Sequence, residues 1–102
     1  MFIHTTIIKV KPENVKEAVA ILSSERNQAY FLSLKGFHHG YVIETFGEAG
    51  KLISLSFWDS QADAQAVFAD PKYAALLADL RSLLIASPER LGYQLLTEFH
   101  RA

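Results

Sequence analysis

The sequence predicts an α+β fold: a four-stranded antiparallel sheet with helices on one side, in the order β-α-β-β-α-β. Three observations carry this reading. Four β-branched or aromatic runs are bounded by Gly, Pro and Asp clusters. Segments of helical period separate the first run from the second and the third from the fourth. The middle two runs are joined only by Gly47-Glu48-Ala49-Gly50, a loop of hairpin length with two glycines.

Phe2–Val10 is the first strand, and Lys11-Pro12-Glu13 turns the chain into a helix with Pro12 suited to its first turn. Val15, Val19 and Leu22 fall at i, i+4 and i+7, a single apolar stripe widened by Ala18 and Ile21. This helix is predicted to run to about Tyr30, with Phe31–Lys35 as a loosened last turn and Gly36 as its stop. Phe37–Phe46 and Lys51–Trp58 are the second and third strands. Ser60 followed by Asp63 reads as an N-cap with an acidic first turn, opening a helix over Gln61–Ala69. Asp70-Pro71 supplies a fresh cap and first turn, so a new helix is predicted from Pro71 to Ala86. Leu91–His100 is the fourth strand.

This order is the ferredoxin-like split unit. Right-handed crossovers place strands one and three in the centre and both helical segments on one face. The strands do not alternate cleanly: Phe2, Ile3, Ile7 and Ile8 occupy both faces, as do Leu52, Ile53, Leu55 and Phe57. Strands covered on both sides show this pattern. Helices cover one face, so a second subunit is expected on the other, in a homodimer with its sheets packed face to face.

A chain of 102 residues is expected to form one domain, residues 1–102. Half of it is hydrophobic, which is high for a small monomer and agrees with a covered second face. The net charge is −1 with no basic run, so neither nucleic acid nor an anionic membrane is expected as a partner. No apolar stretch approaches the roughly 18–20 residues that span a bilayer, and the N-terminus lacks signal-peptide features. Cytoplasmic residence is the expectation. The absence of cysteine rules out disulfides, thiolate nucleophiles and Cys-ligated metal.

Trp58 ends a strand, where it can wall a pocket and stack on a flat ligand, or plug the gap between sheet and helix. His38 and His39 are strand neighbours and so point to opposite faces. His39 is expected to share a face with Phe37, Tyr41 and Ile43, and His38 with Gly40 and Val42. Whichever enters the pocket can act as general base, since imidazole titrates near neutrality, or can be a hydrogen-bonded structural residue. Thr5, Thr6, Ser54 and Ser56 are small polar residues on the central strands, able to bond a ligand, or equally a buried backbone group or water. His4 and His100 lie near the ends of neighbouring strands, with no carboxylate spaced to complete a metal site, and are expected to face solvent. No metal site is expected. The chain has no Gly-rich phosphate loop, nucleophile elbow or zinc-protease motif.

The passage Phe57-Trp58-Asp59-Ser60, with Ala62 and then Asp70-Pro71-Lys72-Tyr73, resembles the antibiotic biosynthesis monooxygenase (ABM) family of the dimeric α/β-barrel superfamily. The resemblance extends as an element order over nearly the whole chain. It implies a dimeric ferredoxin-like plait. It also implies, for some members, oxidation of quinol or anthrone substrates by molecular oxygen with no cofactor, because the substrate anion itself reduces the oxygen. On that pattern His39 or His38 would be catalytic, and Trp58, Ser54, Tyr41, Phe37 and Thr6 would bind a small aromatic substrate. The sequence departs from two branches. Quinol-oxidising members often carry Asn where Ser54 stands. The haem-degrading branch carries an axial histidine at or near Leu77, and the helix from Pro71 to Ala86 contains none, which argues against haem degradation.

Three functions remain open from sequence: a cofactor-independent monooxygenase, a non-catalytic ligand-binding or interaction module on the same scaffold, and an isomerase or lyase of an aromatic acid. The last needs a cation in the pocket, for which Arg26, Arg81 and Arg90 are the candidates by charge.

Overall fold

A computed structural model describes the whole chain, Met1–Ala102. Its strands are β1 (Phe2–Lys9), β2 (Phe37–Glu44), β3 (Lys51–Trp58) and β4 (Glu89–Gln94), in an antiparallel sheet ordered β2-β3-β1-β4. The helices are α1 (Val15–Leu22), α2 (Glu25–Leu32), α3 (Gln61–Phe68), α4 (Pro71–Leu76) and α5 (Ala78–Arg81), with a 3₁₀ turn at Pro12–Asn14. The plait predicted from sequence is therefore the observed one, with β1 and β3 in the centre.

Register assigns the faces. Thr6 and Ile8 of β1 lie opposite Ser54 and Leu52 of β3, and Phe2 lies opposite Trp58. Ile8, Leu52 and Trp58 are buried, so this face carries the helices. Ala18 and Leu22 of α1 and Leu80 of α5 join Ile8, Val10 and Leu52 in the larger core cluster. The expected stripe on the first helix is confirmed, and so are the caps: Ser60 accepts from the Asp63 N–H at 3.2 Å and Asp70 from the Lys72 N–H at 3.0 Å.

Several element bounds differ from the sequence expectation. The first helix does not run to Tyr30. It ends at Leu22, and Ser24 starts α2 by accepting from the Asn27 N–H at 3.1 Å, because a serine hydroxyl competes well for a helix N-terminus. The helix from Pro71 breaks at Leu77 and ends at Arg81, not Ala86. Leu84 instead bridges Val10, which lies just beyond β1. β2 stops at Glu44, so the hairpin loop is longer than the expected tetrapeptide. β4 stops at Gln94, opposite Phe2, because its partner strand ends there, and only the Leu95 N–H continues, to the Met1 carbonyl at 3.0 Å. Residues 95–102 form no strand. Gly50 is held at φ +90°, where a Cβ would stand 2.2 Å from the Val10 carbonyl oxygen. Only glycine permits this close approach between the hairpin and the end of β1.

The other sheet face carries Ile3 and Ile7 of β1, Ile53, Leu55 and Phe57 of β3, Tyr41 and Ile43 of β2, and Leu91 and Tyr93 of β4. No helix covers it. Tyr41, Ile43, Leu91 and Tyr93 are each about half exposed (46–53%).

Candidate active site

Between the helix-bearing face and α1–α4 lies a cavity of about 490 Å³. That volume is in the range that holds a drug-sized organic molecule. Its floor is the small polar series Thr6, Ser54 and Ser56, with His4 beside them, and its walls are largely aromatic. An adjoining cavity of about 380 Å³ shares Thr6, Ser54, Phe68 and Tyr73 with the first and extends toward Arg81 and Arg90.

Trp58 closes one end. It is 1% exposed and packs on Ala64 and Val67 of α3. Phe37 meets it edge-on at 5.3 Å and Phe31 lies at 6.3 Å between centroids. Its indole N–H donates to the Ser56 hydroxyl at 2.8 Å. That bond satisfies a donor which would otherwise be stranded in an apolar wall. Trp58 is thus both a core plug and a cavity wall.

The β2 edge holds a correction. Phe37 lies opposite Trp58 while His39 lies opposite Phe57, so a bulge at His38 inserts one residue. The expectation that Phe37, His39 and Tyr41 share a face fails for that reason. Phe37 turns to the helix side, and its ring lies against Gly40. His39 stacks on Phe57 at 4.4 Å and meets Tyr41 edge-on at 5.4 Å, on the opposite face. His39 and Tyr41 nevertheless remain among the residues that border the cavity. The bulge frees His38 from the sheet alternation. Its Nε2 lies 2.5 Å from Asp59 Oδ1 at the part-exposed mouth. A carboxylate on Nε2 fixes that nitrogen as the protonated one, leaving Nδ1 of the neutral ring as an acceptor.

His4 was expected in solvent. It is instead half-buried on the helix side, packed against Phe68 at 4.3 Å between ring centroids with the planes tilted by 34°, and lines the cavity. Burial, and then the nearby Arg90, hold its pKa below the ordinary 6.5, so it is the neutral imidazole at neutral pH. Arg90 itself lies over the Phe68 ring at 4.6 Å. His100 does not join His4; it is exposed, 3.7 Å from Glu98. Of the residues singled out from sequence, Trp58, Phe37, His38, Thr6 and Ser54 come together around this space. Ser56, read from sequence with Thr6 and Ser54 as able to bond a ligand, lines it too, and His4 and Asn27 line it without having been singled out as site residues. The even spacing of His4 with Thr6 and Ile8 along one strand was the available signal for the first of these.

Tyr30 ties α2 to the α3–α4 corner. Its hydroxyl donates to Asp70 Oδ2 at 2.7 Å. That bond, followed by the Lys72 N–H, lowers the Asp70 pKa from 3.8, while burial and then the Asp70 bond raise that of Tyr30 above its usual value of 10.0. The signs give a window. A depressed carboxyl stabilises the fold above its unfolded pKa, and the contribution is lost as pH falls through the folded value. A raised phenol stabilises below its unfolded pKa, and the contribution is lost at higher alkalinity. The link is therefore intact from about pH 4 to about pH 10. Asp70→Asn is expected to flatten the acid limb of a denaturation-midpoint profile below pH 4 and to leave the neutral region nearly level. An unchanged acid limb would show that Asp70 carries no linkage.

No family model matches the sequence, and no curated protein sequence matches it. Solved structures do match the fold. A monooxygenase from the ActVA-Orf6 gene of Streptomyces coelicolor, in complex with the ligand nanaomycin D, superposes with a TM-score of 0.84 at 19% identity, covering 99% of this chain and 92% of that one. A Deinococcus radiodurans protein assigned as an antibiotic biosynthesis monooxygenase gives 0.80 at 15% identity, with 100% and 99% covered. SnoaB, a cofactor-independent oxygenase from Streptomyces nogalater, gives 0.73 at 15% identity, with 98% and 97% covered. The chain has the fold of the antibiotic biosynthesis monooxygenases. The resemblance read from Phe57 to Tyr73 holds at that level.

Proposed function

We propose that this protein is a homodimeric, cofactor-independent monooxygenase that oxidises a hydroxylated aromatic or quinol-type molecule with molecular oxygen. The observation that carries the reading is a Trp58-walled cavity with the His38–Asp59 pair at its mouth. The oxygenases that share the fold support it. In this reading the aromatic substrate lies against Trp58 and Phe37, and His38 Nδ1 takes the phenolic proton. The Thr6 and Ser54 hydroxyls hold the resulting oxyanion. Apolar walls leave that anion poorly solvated and electron-rich, able to pass electrons to oxygen.

For a phenol with a free para C–H, the balance is one phenol plus O₂ giving one para-quinone plus water. One oxygen atom enters the ring. The other leaves as water with the hydrogens of the O–H and the C–H. The substrate is oxidised by four electrons and O₂ is reduced by four.

1-Naphthol, which would yield 1,4-naphthoquinone, is the first substrate to test. Quinone formation is expected in air and not under argon, and turnover under argon would overturn the proposal. His38→Gln is expected to lower kcat about 100-fold or more, as loss of a general base does. His4→Gln should change it little. The reverse pattern would place the base at His4. Arg81 and Arg90 beside the adjoining cavity favour a second reading, an isomerase or lyase of an aromatic acid. That reading predicts oxygen-independent turnover of a carboxylate-bearing substrate.

The same proposal assigns the uncovered sheet face to a second copy of the chain. His39, Tyr41 and Phe57 then belong to the subunit interface, behind the site.

A further inference from the structure

The break between α1 and α2 builds a polar device facing the cavity. Ser24 caps α2, which fixes Asn27 in its first turn, and the Asn27 side-chain N–H₂ donates to the Leu22 carbonyl at the end of α1. A carbonyl can only accept, so the amide nitrogen must face Leu22 and Oδ1 must be the free end. Asn27 is 5% exposed, Oδ1 has no hydrogen-bond partner, and the residue lines the cavity. A buried acceptor left unpaired is costly, and native structures rarely leave one without a use.

The other polar groups around this space do not impose the same requirement. The Ser56 oxygen already receives the Trp58 indole N–H. The Thr6 and Ser54 hydroxyls rotate and serve as donors or acceptors. Gln28, whose amide nitrogen donates to the Ser23 carbonyl, and His38 also offer acceptors, but both residues are exposed and water can serve them. Among the buried side chains around this space, only the Asn27 amide oxygen is restricted to accepting.

We infer that Asn27 Oδ1 is a specificity determinant that receives a hydroxyl or N–H of the bound molecule, making the cavity selective for ligands that carry a donor at that point. The inference rests on the proposed reading that an aromatic molecule occupies the cavity. Combined with it, the substrate class narrows. An oxygen that has lost its proton cannot donate, so the group at Asn27 is a second hydroxyl or N–H, separate from the one ionised at His38. The preferred substrates are then aromatic molecules with two donor groups, and a phenol with one donor, such as 1-naphthol, is turned over but bound less tightly.

Binding of 2-naphthol, naphthalene and 2-methoxynaphthalene at pH 7 tests this by fluorescence titration. The wild type is expected to bind 2-naphthol about tenfold or more tightly than 2-methoxynaphthalene, which has an acceptor and no donor. In Asn27→Leu, and in Asn27→Ala, which leaves space instead of added bulk, the ratio of the naphthalene to the 2-naphthol Kd should fall about tenfold. Naphthalene binding itself should not weaken. Equal binding of 2-naphthol and 2-methoxynaphthalene by the wild type, or an unchanged ratio in either folded variant, would overturn the role of Asn27 while leaving the aromatic cavity standing. Failure of all three probes to saturate the wild type would overturn the cavity reading and this inference together.

Discussion

Trp58→Ala is expected to destabilise the protein by about 3–5 kcal/mol, the range found when a buried aromatic is truncated. The side chain is 1% exposed and joins β3 to α3 through Ala64 and Val67, with Phe31 and Phe37 against its ring. Removing it leaves a hole that the surrounding rings cannot fill from their own positions, and it also strips the Ser56 hydroxyl of its donor. Small domains have total stabilities of about 5–15 kcal/mol, so this one change removes a large share. The thermal midpoint should drop by roughly 15 °C or more. Urea denaturation should show a lower midpoint with an unchanged slope, since the surface exposed on unfolding is nearly the same. Trp58→Phe separates the two roles of this residue: it retains most of the packing and should fold, while its narrower ring should weaken binding of a flat aromatic. An unfolding free energy for Trp58→Ala within about 1 kcal/mol of wild type would contradict the packing described.

Leu55→Arg is the second large effect. Leu55 sits on central strand β3 with Thr5 and Tyr41 beside it, on the face no helix covers. Nine large apolar side chains from all four strands share that face. Such a surface is far more apolar than the exposed face of a solitary domain. A two-fold partner placed there would bring one arginine from each subunit into a dry, central contact. An unpaired buried charge costs about 3–5 kcal/mol. The wild type is therefore expected to sediment as a dimer, and Leu55→Arg as the 11.4 kDa monomer. A wild type that sediments as a monomer at micromolar concentration would contradict the assignment of this face.

Where local signals were strong, sequence and structure agree. Ser60 and Asp70-Pro71 are residue-level caps whose chemistry acts within three positions, so the starts of α3 and α4 were legible. The order of the strands followed from runs of β-branched residues and from the rule of right-handed crossovers. Features that depend on a partner element were not legible. The end of β4 is set by where β1 begins. The bulge at His38 depends on how β2 meets β3, and no glycine or proline at that position announces it. That single inserted residue decides the site, because it moves Phe37 to Trp58 and separates both from His39 and Tyr41. The break at Ser23-Ser24 was not read either: the apolar stripe that ends at Leu22 gives no sign that the helix stops there, although serine is a favoured N-cap. Asn27 was not legible at all. A polar residue near a helix start normally faces solvent, and only the packing of α2 over the sheet buries it.

The most direct test is whether the cavity supports oxygen chemistry of an aromatic substrate. Turnover of 1-naphthol under ¹⁸O₂ in unlabelled water, followed by mass spectrometry before the product can exchange, measures this directly. One ¹⁸O atom is expected in the quinone and the second in water, with loss of labelled product in His38→Gln. Quinone carrying no ¹⁸O, or formed at the same rate without protein, would contradict the proposed function.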